Sequence, residues 1–125
     1  MAIGVALFTM LALGSISTAK AGNLVAGFEC GKLDPAWTGN YRCDSPDNIS
    51  GYKRDRVFIN TYERAGCVDY ADVWHNLINS WVCYPKGTEL GSIKVREDGG
   101  WYRGAIRNNN LTYAGNFNGL ISWWG

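Results

Sequence analysis

The sequence predicts an α+β domain in which one or two helices pack on a C-terminal antiparallel sheet of about four strands. Apolar residues recur at helical spacing between residues 69 and 81, and short aromatic and β-branched runs alternate with turn residues after residue 90. Four cysteines in a short chain indicate that disulfide bonds stabilise a small core. Helices followed by a run of antiparallel strands are typical of the α+β class.

Residues 1–21 are expected to form a secretory signal peptide. The apolar run from Ile3 to Leu13 is too short to cross a bilayer, which requires about 20 residues. The tripeptide Ala19-Lys20-Ala21 has the small-x-small pattern after which signal peptidase cleaves. Residues 22–125 would then be one secreted, soluble domain that does not insert in a membrane.

The near-equal numbers of basic and acidic residues are compatible with an acidic partner such as nucleic acid but do not indicate one. The chain has 12 basic and 11 acidic residues, and Lys20 leaves with the signal, so the mature domain is neutral. Residues 84–125 hold a small basic surplus, which is compatible with nucleic-acid binding but too small to diagnose it.

The four cysteines are expected to form two disulfides worth about 2–4 kcal/mol each. They are Cys30, Cys43, Cys67 and Cys83. A helix over residues 69–81 would separate its ends by about 20 Å, whereas bridged Cα atoms lie within about 7 Å. We therefore expect each of the first two cysteines to pair with one of the last two. Zinc is disfavoured because the spacings contain no C-x₂₋₄-C pair.

Two segments in the middle of the chain are interpreted as helices. Residues 55–65 fit a strand by residue type and a helix by spacing, and we favour the helix. Residues 69–81 fit a helix more clearly, because Asp69 can cap the first turn and an apolar stripe follows. The stripe comprises Val73, Trp74, Leu77, Ile78 and Trp81. Tyr84-Pro85 follows and would stop the helix, because proline disfavours the helical region for the residue before it.

The C-terminal sheet is predicted from four runs, residues 91–96, 101–106, 111–114 and 120–124. Asp98-Gly99-Gly100 would join the first two as a hairpin. Because strand side chains alternate, one face can be core while the other is exposed. The exposed face would then carry Lys94, Arg96, Trp101 and Arg103.

Two N-glycosylation sequons lie in predicted turns or loops, Asn48-Ile49-Ser50 and Asn110-Leu111-Thr112. The sequence leaves the occupancy of both open.

Several short motifs resemble those of small fungal guanyl-specific ribonucleases. Residues 119–125 resemble the family's G-V-I-T-H-T-G strand, and residues 110–113 fall where the family has R-V-V-F. Tyr84-Pro85-Lys86 resembles its Y-P-H, and residues 100–104 fall where it has G-x-x-Y-x-G. The export signal followed by Phe28-Glu29-Cys30 resembles the ribonuclease-like effectors of powdery mildew fungi. Those secreted proteins keep the ribonuclease fold and lack its catalytic residues.

The resemblance implies a microbial-ribonuclease-like fold without catalysis. The family's general acid histidine falls on Trp123, its transition-state arginine on Asn110, and its first histidine on Lys86. The only histidine of the chain, His75, is expected to be solvated on a helix. No nucleophile elbow or phosphate-binding glycine loop occurs in the sequence. We expect no enzyme activity, cofactor or metal.

Binding is therefore the expected function. As such an effector, the protein would be a monomer that acts at or inside host cells, binds host RNA or a host protein such as an immune receptor, and suppresses plant defence. An exposed tryptophan beside an arginine can stack on a base for about 1–3 kcal/mol, or serve as a protein hot spot. The alternatives are an active secreted ribonuclease and a module that binds cell-wall carbohydrate. The predicted binding residues are Lys86, Lys94, Arg96, Trp101, Arg103, Arg107 and Trp123.

Overall fold

The computed structural model describes residues 16–20, 23–46, 49–50 and 56–123. The regular secondary structure in these residues consists of strands. The ten strands are β1 (Ile16–Lys20), β2 (Asn23–Leu33), β3 (Arg42–Asp44), β4 (Ile49–Ser50), β5 (Arg56–Asn60), β6 (Gly66–Asp72), β7 (Val82–Tyr84), β8 (Gly91–Lys94), β9 (Trp101–Asn108) and β10 (Gly115–Trp123). No helix occurs among these residues, so the α+β prediction is wrong.

The strands form two antiparallel sheets. The first sheet has the order β1-β2-β10-β5-β8, and the second has the order β3-β9-β6-β7, with β4 also paired to β9. Apolar side chains from both sheets pack into a single core. The first sheet contributes Phe28, Val57, Ile59, Phe117 and Ile121, and the second contributes Val68, Tyr70, Tyr102 and Ile106. The arrangement is a β-sandwich.

The helix expected over residues 55–65 does not form in the described part of that segment, residues 56–65. Within them, Arg56–Asn60 is a strand whose burial alternates, with Val57 and Ile59 fully buried in the core. β-Branched side chains suit the pleated, half-buried surface of a sheet, and this preference outweighs the helical spacing of Phe58 and Tyr62.

The helix expected over residues 69–81 is a hairpin instead. β6 ends at Asp72, whose carboxylate accepts hydrogen bonds from the backbone N–H groups of Trp74 and Asn76, both at 2.9 Å. This side-chain turn replaces the first helical turn, and the chain reverses to place Leu77 opposite Ala71. The predicted stripe is consequently split, since Trp74 is 78% exposed whereas Ile78 packs against the core.

The hairpin also corrects the disulfide pairing, although the two disulfides themselves are confirmed. Cys67 and Cys83 lie directly opposite each other on β6 and β7 and are bridged. Cys30 on β2 is bridged to Cys43 on β3, with 5.7 Å between their Cα atoms. The expected separation of Cys67 from Cys83 depended on an intervening helix that does not form. The Cys30–Cys43 bond joins the two sheets.

The C-terminal strands are distributed over both sheets rather than forming one meander. β8 pairs with β5 in the first sheet, whereas β9 pairs with β6 in the second, so Asp98-Gly99-Gly100 does not close a hairpin. Instead, Asp98 accepts hydrogen bonds from the Gly100 N–H and the Tyr102 hydroxyl as the chain crosses between sheets. Residues 111–114 form a loop, and β10 begins at Gly115.

β10 begins five residues before the predicted strand over residues 120–124, because its first residues pack between the sheets. Phe117 is a core residue with 1% exposure, although turn-forming residues surround it in the sequence. A Cβ at Gly119 would collide with the side chains of Ile106 and Phe28, so glycine here permits close approach rather than a turn.

Part of the expected signal peptide lies in the first sheet. β1, residues Ile16–Lys20, pairs with β2 through Ile16 opposite Ala26. Residues 1–15 and 21–22 lie outside the described residues, as does Asn48 of the first sequon. The signal and the boundary of the mature domain remain predictions.

Because the core lies between the sheets, truncating a buried side chain should lower the free energy of unfolding far more than truncating an exposed one. Ile106→Ala should lower the free energy of unfolding by about 2–5 kcal/mol, because it empties a fully buried position between the sheets. Leu90→Ala, at a position that is 64% exposed, should change it by less than about 0.5 kcal/mol. Denaturant unfolding of both variants measures the difference. Equal effects would contradict the assignment of Ile106 to the core.

Candidate functional site

Three of the predicted binding residues lie along β9, on the side of the second sheet that faces away from the core. They are Trp101, Arg103 and Arg107, and they alternate with the core residues Tyr102 and Ile106. Trp101 is 59% exposed. Trp123 is the last residue of β10 in the other sheet, and its side chain lies outside the described residues.

Lys94 and Arg96 lie at and just after the end of β8, an edge strand of the first sheet. Lys94 forms an ion pair with Glu97 at 2.6 Å, and Arg96 forms one with Asp98 at 3.8 Å. The Tyr102 hydroxyl also donates to Asp98, which holds the pKa of that carboxyl below its usual value. The predicted common surface of Lys94, Arg96, Trp101 and Arg103 is therefore divided between two sheets.

Arg103 holds two distant loops in place. Its Nη1 donates to the carbonyl oxygens of Ser45 and Pro46, at 3.0 and 2.9 Å, and its Nε donates to the carbonyl oxygen of Val73 at 3.3 Å. Hydrogen bonds from a charged donor are worth roughly 1.5–3 kcal/mol each. The guanidinium is thus committed to internal contacts.

Arg107 is also committed internally. The residue is 6% exposed, and its guanidinium lies 4.3 Å from the ring centre of Trp37 and 5.3 Å from that of Trp81. It donates to the carbonyl of Asn108 and the side-chain oxygen of Asn109. Burial lowers the pKa of Arg107. The two indoles replace part of the lost hydration through cation–π attraction.

A pocket of about 360 Å³ lies at one end of the sandwich. It is lined by Arg64, Ala65, Lys86, Asn110 and Tyr113. These residues belong to the β5–β6, β7–β8 and β9–β10 loops, each of which connects one sheet to the other. Lys86 and Asn110, which the resemblance aligned with a histidine and an arginine of the ribonucleases, therefore line the same cavity.

Buried polar side chains fix these loops. Asn108 is fully buried, donates to the carbonyls of Leu33 and Tyr113, and accepts from the Asn110 N–H. Thr61, also fully buried, accepts from the Thr88 N–H at 2.9 Å. Because unpaired buried polar groups are costly, these hydrogen bonds select one conformation for the loops.

The carboxylate of Glu63 lies near Arg64 and Lys86 but is hydrogen-bonded to Asn116. Glu63, the acidic residue beside Arg64, turns to Asn116 and accepts hydrogen bonds from its backbone and side-chain N–H groups, at 3.0 and 3.1 Å. These bonds, and to a smaller extent attraction to Arg64 and Lys86, lower the pKa of Glu63. Within the described part of the chain, neither Arg64 nor Lys86 forms an ion pair.

An exposed aromatic ring stands beside these cations. The Arg64 guanidinium carbon lies 5.5 Å from the centre of the Tyr113 ring, and Tyr113 is 62% exposed. The Arg64 Nε is buried and has no hydrogen-bond partner among the described residues. Two cations, an amide and an aromatic ring in one cavity can bind an anion that carries a flat group.

A second cluster surrounds the only histidine. His75 lies in the β6–β7 turn at φ 69°, not on a helix, and its Nδ1 donates to Asp44 at 2.7 Å. Arg42 donates to both oxygens of the same carboxylate, each at 2.7 Å. The Asp44 side chain is 7% exposed, whereas that of His75 is 57% exposed. An aspartate in this position orients the imidazole as in a proton-transfer site.

The cluster supplies one of the two proton-transfer groups that RNA cleavage requires. A base must take the 2′-hydroxyl proton and an acid must protonate the leaving oxygen. The other partner of Asp44 is Arg42, which stays protonated in proteins and cannot exchange a proton.

No family model matches the chain, and the searches of curated proteins and of solved structures likewise give no match. In the described part of the chain, no helix has the length and apolar character needed to cross a membrane. The same residues include no group of three or more His, Cys, Asp or Glu side chains that could hold a metal ion.

Sequence reasoning missed Arg64, Tyr113 and Asp44. Arg64 fell inside the expected helix over residues 55–65, and Tyr113 fell inside an expected strand. The available signal was Tyr62-Glu63-Arg64, a polar and aromatic run that follows a β-branched stretch and is typical of a loop. The pairing of Asp44 with His75 spans 31 residues and leaves no local pattern.

Asp69 gives a prediction for the pH dependence of stability. It is fully buried on β6, and its Oδ2 has no partner among the described residues. Burial raises the pKa of Asp69 in the folded state. As pH rises above about 4, the unfolded state therefore loses this proton first, and the stability contributed by the protonated form is lost. Asp69→Asn should gain stability relative to the native chain over this range.

Urea unfolding of both proteins between pH 4 and pH 7 measures that difference, and each transition should be compared at matched salt. A difference that does not change with pH would contradict the raised pKa of Asp69.

Proposed function

We propose that the chain is a secreted, non-catalytic effector that binds host single-stranded RNA in the pocket of Arg64, Lys86, Asn110 and Tyr113. The observation that carries the proposal is a pair of cations, neither in an ion pair among the described residues, beside an exposed aromatic ring. These are the parts from which proteins build sequence-tolerant sites for single strands.

The chemistry assigns a role to each residue. Lys86 and Arg64 contact phosphate oxygens, and the Tyr113 ring stacks on a base. The Asn110 Nδ2 can donate to a base edge, since its Oδ1 already accepts hydrogen bonds from the backbones of Thr112 and Tyr113. Because the whole mature domain is expected to be neutral, attraction would be confined to the pocket, and affinity would fall moderately with rising salt.

Binding is favoured over cleavage by the surroundings of His75. The histidine lies on the β6–β7 turn and is held by Asp44, whereas the pocket is built from other loops. An RNA strand bound at Lys86 and Tyr113 would meet no histidine of this chain in the pocket lining.

Export is supported by the expected signal and by the two disulfides, which are compatible with an oxidising compartment. The Phe28-Glu29-Cys30 tripeptide, which carries part of the effector resemblance, has a structural role here. Phe28 is buried in the core, and Cys30 forms the bond between the sheets. A ribonuclease-like fold is not part of the proposal, because the described residues form a sandwich without helices.

A host protein is the second candidate partner. The loops around the pocket expose Tyr62 at 77% and Leu111 at 76%, and large exposed residues of this kind anchor protein interfaces. Such a partner would depend on these side chains more than on salt.

Two lysine substitutions with equal change in charge test the proposed site. Lys86→Ala removes a cation from the pocket, whereas Lys94→Ala removes one that lies at the end of β8 and is paired with Glu97. Lys86→Ala should weaken binding of a fluorescent single-stranded RNA and reduce its salt slope by about one, while Lys94→Ala should change neither. Tyr113→Ala should cost about 1–3 kcal/mol of affinity.

The same incubations should leave the RNA intact, with no difference between the native protein and His75→Ala. Cleavage that disappears in His75→Ala would replace the proposal with a ribonuclease. Equal loss of binding in the two lysine variants would move the site away from the pocket.

A further inference from the structure

One wall of the pocket contains a sequence motif that the proposed function does not use. Asn110 lines the pocket and begins the sequon Asn110-Leu111-Thr112. Leu111 and Thr112 are exposed, so the motif is presented at the surface of the folded domain. A bulky glycan on an asparagine that lines a binding site would affect whether a ligand can enter that site.

Every polar group of Asn110 is hydrogen-bonded except the side-chain nitrogen, the atom to which a glycan is attached. Its side-chain oxygen accepts from the N–H groups of Thr112 and Tyr113, at 2.9 and 2.7 Å. Its backbone N–H donates to Asn108, and its carbonyl accepts from the Ala36 N–H at 2.8 Å. The side-chain Nδ2 has no hydrogen-bond partner in the described part of the chain and is not among its buried polar atoms that lack one, so it keeps some exposure to solvent.

We propose that Asn110 is an N-glycosylation site and that its glycan closes the RNA pocket. The proposal rests on the proposed export and binding function. RNA could then enter the pocket only in protein molecules whose Asn110 carries no glycan. The regulated step is therefore the fraction of exported protein that carries the glycan.

The modification is a transfer from a lipid-linked oligosaccharide diphosphate, the donor class of the eukaryotic secretory pathway. A bond forms between Nδ2 and the anomeric carbon of the first sugar, and the bond from that carbon to the diphosphate oxygen breaks. Nδ2 loses one proton, and the lipid diphosphate leaves with the electron pair. The side-chain oxygen is unchanged, so its hydrogen bonds to Thr112 and Tyr113 survive the modification.

The expected consequence is steric. The first sugar is attached to the side chain of a residue that lines the pocket together with the ring and the lysine that would hold RNA. A bulky, hydrophilic chain at this position denies the strand access to Tyr113 and Lys86 without removing either side chain.

Thr112 provides a matched pair of variants for the test. Its side chain makes no hydrogen bond within the described residues, and only its backbone N–H contacts Asn110. Thr112→Ala destroys the sequon and keeps Asn110, whereas Thr112→Ser keeps the sequon. Both are made in the full chain with Asn48→Gln, which leaves Asn110 as the single sequon, and both are secreted from a eukaryotic host.

The mass of the peptide that contains Asn110 should show a glycan in Asn48→Gln and in Thr112→Ser, and none in Thr112→Ala. A single-stranded RNA oligonucleotide should bind the unmodified Thr112→Ala protein at least about tenfold more tightly, because the stacking ring and the lysine are accessible. An unmodified Asn110 in the secreted parent would overturn the proposal, as would equal RNA affinity of the two forms. Absence of RNA binding in both forms would overturn the proposed function and the closing role together, while the peptide mass would still decide whether Asn110 is modified.

Discussion

The face-to-face packing of two sheets determines where a binding site can form in this protein. The Cys30–Cys43 bond joins the sheets, and the shared apolar core lies between them. The three loops that line the pocket each cross from one sheet to the other, and their backbones are bonded together through Asn109 to Ala65 and Gly87 to Thr61. The shape of the pocket therefore depends on the distance and register between the sheets.

The charges of the chain are divided between structural and available groups. Arg103 and Arg107 bond to carbonyls and indoles, Arg42 is paired with Asp44, and Lys94 is paired with Glu97. A cation that already holds protein groups must break those contacts before it can bind phosphate. Lys86 lies in the pocket without an ion pair in the described residues, which is why net charge and basic count were poor guides to the site.

The sequence predicted the strand starts at Gly91 and Trp101 and the presence of two disulfides, because alternation and cysteine count are local signals. It failed at residues 69–81, where helical spacing outweighed the side-chain turn made by Asp72. The disulfide pairing failed with that helix. The partners of Arg103 could not be predicted, because they lie as far as 58 residues away. Lys86 was singled out only by resemblance, and its placement beside Tyr113 required the structure.

Amide chemical shifts of the labelled protein, followed during titration with a single-stranded RNA oligonucleotide, test the central claim most directly. The account predicts that the shifts change in the three loops of the pocket, residues 61–65, 86–90 and 109–114. Shifts confined to the outward side of β9, around Trp101 and Arg103, would contradict it.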